Sequence, residues 1–178
     1  MRFVAALDPD STQTAIAWAQ LGQCSLAGDR AWQFLGAEGG GASKIPVGWS
    51  TITGAQAWLL TARAKHGVGF GEMTIVIETQ APNGAHSSDV ESLRRVRYHW
   101  EAACELLGVC CVFVDACTWE RAFAGECKAR GKGALKKACQ VRAKKLAPSL
   151  ANGDQRDAFG MLSWYVGEQF GESLHVGE

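Results

Sequence analysis

Apolar residues come in short runs through the first part of the chain. Arg2-Phe3-Val4-Ala5-Ala6-Leu7 is apolar after its first residue and stops at Asp8-Pro9-Asp10-Ser11. That pattern predicts a buried strand closed by a turn. Thr14 to Leu21, with Ile16 and Trp18, and Ala31 to Leu35 predict two further strands. Consecutive strands with short gaps predict an antiparallel meander. Gly39-Gly40-Gly41 then marks a loop.

Beyond the glycines the period changes. Ile52, Ala55, Trp58, Leu59 and Ala62 recur at helical spacing, which predicts a helix capped by Ser50 or Thr51 and running to about His66. Thr74-Ile75-Val76-Ile77 is a β-branched fourth strand that ends on Glu78, and Thr79 to Ala85 is a loop. Ser88 with Glu91 three positions on reads as a capping box. The helix that follows carries Val90, Leu93, Val96, Trp100, Ala103 and Leu107 and stops at Gly108. Val109 to Val114 is a fifth strand. Thr118 to Ala124 and Ala134 to Leu146 read as helices, Asn152-Gly153 as a turn, and Asp154 to about Phe170 as the last helix. This order predicts an α/β fold: a mixed five-stranded sheet, an antiparallel three-strand meander joined to parallel strands, with helices on both faces.

Composition bounds the class. The chain has 178 residues, 47% hydrophobic and 20% charged. That suits a single globular domain over 1–178 and excludes extended disorder. No apolar run approaches the ~20 residues that span a bilayer, and no signal-peptide pattern opens the chain, so a cytoplasmic protein is expected. The seven cysteines contain no CxxC pair, which leaves a zinc ribbon unsupported and suggests free thiols in a reducing compartment. Cys110 and Cys111, inside an apolar run, read as buried small hydrophobes.

The net charge of +0 hides an asymmetry: residues 120–146 hold nine Lys and Arg against two Glu. Lys128, Arg130, Lys132, Lys136 and Lys137 cluster there, with Gly131 and Gly133 leaving room for close backbone approach. Such a block neutralises phosphates and predicts salt-sensitive DNA binding. A merely solvated helix face is the alternative, but solvated faces mix both signs. Arg94, Arg95 and Arg97 form a second basic group, either touching DNA or decorating their helix, whose other face (Leu93, Val96, Trp100, Leu107) is core or a dimer contact. Trp119, beside the basic block, is the tryptophan placed to stack on bases, the others reading mostly as core. None of the four histidines stands at ligand spacing with another.

Four acids stand where chemistry favours them. Asp8 ends the first strand, Glu78 ends the fourth, and Asp154 and Asp157 share one face of the last helix. Singly, each has an ordinary explanation: a strand-end Asp forms turns, and an Asp at a helix start favours the dipole. Glu78 is harder to explain away, since an acid closing an apolar strand runs against β propensity. Together, clustered carboxylates suit hard cations such as Mg2+ or Mn2+. With two ions ~3.5–4 Å apart, one activates water and the other stabilises the leaving oxygen of a phosphodiester.

The segments Leu7-Asp8-Pro9-Asp10-Ser11, Ile75-Val76-Ile77-Glu78 and Asp154-Gln155-Arg156-Asp157-Ala158-Phe159-Gly160 resemble, in order and context, the RuvC-like Holliday-junction resolvases of the RNase H-like nucleases. Thr118-Trp119-Glu120, the lysines after it and Ala147-Pro148 look most like the smaller phage-type members. The resemblance implies an RNase H-like sheet, a homodimer, Mg2+-dependent cleavage of four-way DNA, and Asp8, Glu78, Asp154 and Asp157 as metal-binding catalytic acids. Two departures stand out: Asp10 replaces the usual glycine, and residues 79–97 offer no aromatic wedge, leaving Tyr98 or another ring for that task. A two-fold junction cut twice implies two active sites related by a two-fold axis. The competing readings are another nuclease of the same fold acting on flaps or structured RNA, and a catalytically silent branched-DNA-binding module.

Overall fold

β1 (Arg2–Asp8) alternates its side chains between two cores. Phe3, Ala5 and Leu7 join one buried cluster, while Val4 and Ala6 join the other. The period of two in a strand puts successive residues on opposite faces, and both faces are covered here. In this computed structural model residues 2–9, 14–23, 30–39, 51–79, 87–125 and 133–176 are described.

β2 (Ala15–Gln23) and β3 (Arg30–Gly39) complete the antiparallel meander with β1. β4 (Met73–Thr79) and β5 (Cys110–Asp115) add in parallel, giving the order β5-β4-β1-β2-β3-β6. The sheet therefore has six strands, not five. The sixth, β6 (Leu174–Val176), pairs in parallel with β3, and at three residues it is too short to carry a periodic signal. Opposite Trp18, the β2–β3 register shifts by one residue at Gly36. Gly36 has φ 155°, and a Cβ there would meet the Trp18 ring at 3.1 Å, so the bulge needs glycine.

α1 (Ile52–His66) and α2 (Ser87–Leu107) cover one face, packing Trp58, Leu59, Val96 and Trp100 onto the Phe3–Leu7 side. Val96 and Trp100 of α2 are thus core, with Leu107 partly buried against it. Thr51 caps α1, its hydroxyl accepting from the Gly54 N–H at 3.1 Å. α2 already includes Ser87, so Ser88 lies inside the helix and the capping-box reading is corrected. α3 (Ala116–Ala124), α4 (Ala134–Leu146) and α5 (Gly153–Phe170) cover the other face. β5 runs straight into α3 at Ala116, two residues before the sequence suggests. β5 is also an edge strand, which corrects the reading of its thiols: Cys110 is exposed and Cys111 half-buried. No helix among the described residues is long and apolar enough to cross a membrane.

Candidate metal centre

The alternation of β1 and β4 aims two acids the same way. Val4 and Ala6 face the α3–α5 layer, and Asp8, two residues on, follows them. On β4, Val76 faces that layer and Glu78 follows it. Leu7 pairs with Ile77, so the two carboxylates stand next to each other at the same end of adjacent parallel strands.

α5 brings the other two. Asn152 caps it by accepting from Gln155 N–H at 2.9 Å. The side-chain amides of Asn152 and Gln155 both donate to Gly39 O, at 3.1 and 2.9 Å, which ties the start of α5 to the end of β3. Asp154 and Asp157 occupy the first turns, where the helix dipole favours negative charge. Asp8, Asp154 and Asp157 each bring a carboxylate oxygen within 4.8 Å of the others. Glu78 stands beside this trio, its charge felt by Asp8, and its Oε2 accepts from Trp119 Nε1–H at 2.9 Å.

Burial works against charge here. It pushes the Asp8 carboxyl well above its ordinary range, and neighbouring Glu78 pushes it further. Burial likewise raises Glu78 to about 7, against the pull of the Trp119 hydrogen bond and of Lys136. Asp157, only 1% exposed, is raised by burial and held back by Lys136 and Gln140. Glu120 on α3 joins the group: burial raises it too, and it interacts with Lys136 and Asp157.

Lys136 Nζ lies 2.9 Å from Asp157 Oδ2, and Gln140 Nε2 donates to the same oxygen at 3.0 Å. Asp157 Oδ1 is buried with no hydrogen-bond partner among the described residues. A buried bare acceptor on a residue of this acidic trio is costly unless a cation or other donor satisfies it. An all-oxygen set without cysteine or histidine is the donor chemistry of a hard divalent ion. The residues present fit such an ion.

The other expected residues scatter. Lys136, about half of its side chain exposed, reaches in among the acids, and Lys137 beside it is exposed. Lys128, Arg130, Lys132 and Asp10 lie outside the described residues. Arg94 and Arg95 are exposed on α2, in the layer on the far side of the sheet from α4 and α5. Arg97 lies over the Phe113 ring at 4.1 Å. Trp119 is 1% exposed and cannot stack on bases; its role is the hydrogen bond to Glu78. Tyr98 is 58% exposed on α2. Sequence reasoning missed Trp119 as a partner of Glu78, Gln140 as a partner of Asp157, and Glu120. The available signals were the resemblance at Thr118-Trp119-Glu120 and the clustering of these residues around the basic segment.

No family model matches the sequence, and no curated protein matches it. Solved structures do. RuvC of T. thermophilus in complex with Holliday junction substrate superposes with a TM-score of 0.63 at 12% identity, over 96% of this chain and 98% of that one. Thermus thermophilus RuvC by itself gives 0.61 at 14% identity, with the same coverage. The yeast mitochondrial Holliday junction resolvase Ydc2 gives 0.52 at 9% identity, over 91% of this chain and 76% of that one. The chain has the RuvC fold.

Proposed function

We propose that residues 1–178 form a single nuclease domain, a divalent-metal-dependent endodeoxyribonuclease that resolves four-way DNA junctions by paired symmetric nicks. The observation that carries the reading is the convergence of Asp8, Asp154 and Asp157 oxygens within 4.8 Å on a RuvC fold. Asp8, Asp154 and Asp157 would hold Mg2+, with Mn2+ as the alternative, and Glu78 would complete the set. Two such ions held there would supply two-metal hydrolysis, one activating water and the other stabilising the leaving oxygen of a phosphodiester.

The chain's own residues prepare that chemistry. Gln140 and Lys136 fix the Asp157 carboxylate through one oxygen and leave the other free. Trp119 fixes Glu78. Lys136 and Lys137, with Lys128, Arg130, Lys132, Arg94 and Arg95, neutralise DNA phosphates, and the shape of the junction rather than base edges is read. A two-fold substrate calls for a homodimer. Tyr98 and Leu106, both exposed and on one side of α2, support a contact there.

The test is a labelled synthetic four-way junction incubated with and without Mg2+, beside flaps and RNA hairpins. Paired symmetric nicks that need metal and favour the junction are expected. Preference for flaps or RNA would move the reading to another nuclease of this fold, and no cleavage of any substrate would leave a DNA-binding module. Asp8→Asn and Glu78→Gln should each cut cleavage by about three orders of magnitude, the equivalent of several kcal/mol of lost transition-state stabilisation. Junction binding should persist in both.

A further inference from the structure

Asp157 is almost wholly buried, yet its two oxygens are treated differently. Oδ2 takes both Lys136 Nζ and Gln140 Nε2; Oδ1 takes nothing among the described residues. Both donors come from α4, four residues apart and so on one face of that helix. α5 makes room for Gln140. It begins at Gly153, where a Cβ would stand 3.0 Å from Gln140 Nε2.

Lys136 is half-exposed, and the protein side of its ammonium is lined by acids from four elements. Asp157 comes from α5, Asp8 from β1, Glu78 from β4 and Glu120 from α3, and Lys136 interacts with all four. A partly buried group of carboxylates repels itself, and the ammonium offsets that repulsion. A divalent cation would offset it too, and two cations drawn to the same carboxylates within a few ångströms repel each other.

We propose that Lys136 is a built-in counter-ion of the acidic site: its ammonium holds the carboxylates together while no divalent ion is bound, and competes with that ion for their charge. This rests on reading Asp8, Asp154 and Asp157 as a divalent-cation site. Lys136 thereby weakens the hold of the cage on metal and frees the fold from needing metal to be stable.

The experiment measures Mn2+ binding to the full chain without DNA, by the paramagnetic resonance of free Mn2+, together with melting in EDTA. Lys136→Met and Lys136→Gln are compared with the wild type and with Lys145→Met, an exposed lysine at the far end of α4. Both Lys136 variants should bind Mn2+ at least about tenfold more tightly. They should melt lower than the wild type in EDTA and recover when Mn2+ is added. Lys145→Met should match the wild type within about twofold. Equal or weaker Mn2+ binding by folded Lys136 variants overturns the counter-ion. So does a Lys136 variant that stays unfolded with Mn2+ present, because the ion should replace the ammonium. Mn2+ binding by none of the proteins, the wild type included, overturns instead the metal-site reading beneath it.

Discussion

The indole N–H of Trp119 donates to Glu78 Oε2 at 2.9 Å, joining α3 to the end of β4 across 41 positions of sequence. The bond stabilises the charged carboxylate and so opposes the burial that lifts Glu78 to about 7. Trp119→Phe keeps a ring and removes the donor. Glu78 should then titrate higher still, and the acid limb of the cleavage pH profile should move up by about one unit. A profile that does not move would show that Glu78 does not need this donor.

Gly160 makes that contact possible. It lies three residues after Asp157 on α5, and a Cβ there would stand 2.9 Å from Trp119 Cζ3 and 3.0 Å from Phe123 Cδ1. Both rings belong to the buried cluster and have little room to retreat. Gly160→Ala should therefore cost about 1–3 kcal/mol, a drop in Tm of roughly 2–12 °C for a domain of this size. Thermal melting checks the cost, and the pH profile should shift in the same sense as for Trp119→Phe.

Stability without metal should fall as pH rises. Asp8, Glu78, Glu120 and Asp157 all bind protons more tightly folded than unfolded. A raised carboxyl contributes stability that is complete below its unfolded pKa and is lost as pH climbs through the folded value. For Glu78 that window runs from about 4.5 to about 7. In EDTA, Tm should be highest at mildly acidic pH and lower by several degrees at pH 8, and Mg2+ should restore much of the loss at pH 8. A flat profile that ignores Mg2+ would contradict the electrostatics of the site.

Junction binding should weaken steeply with salt, because each lysine–phosphate contact releases counterions. Lys137→Ala should weaken binding about equally for all junction sequences and lower the slope of log K against log salt by about one. Arg94→Ala and Arg95→Ala ask a separate question, since those arginines sit on the other helical layer. Unchanged slopes there would confine DNA to the side of α4 and α5.

Much of this was legible in the residues because the governing rules are local. The short apolar runs Phe3–Leu7 and Thr74–Ile77 mark strands, and the acid that follows each run inherits the facing of its strand. Helical spacing found α1, and Gly133 and Ala147 bracket α4 in the second half of the basic block. What escaped depends on contacts between distant segments. β6 exists through its pairing with β3, not through its own three residues. The exposure of Cys110 follows from β5 being an edge, which no property of the run Val109–Val114 declares. Trp119 looked available for stacking because sequence cannot show that Gly160 admits it to the core. Lys136 looked like one more basic surface residue because its partner lies on another helix.

The acids at the site arrive at very different moments of synthesis. Asp8 and Glu78 leave the ribosome early, and Asp157 comes late, anchored through Asn152 and Gln155 to Gly39 more than a hundred positions before it. A nascent or prematurely terminated chain therefore carries half a cage. The acidic site of this architecture is assembled only when α5 docks and brings Asp154 and Asp157 to Asp8.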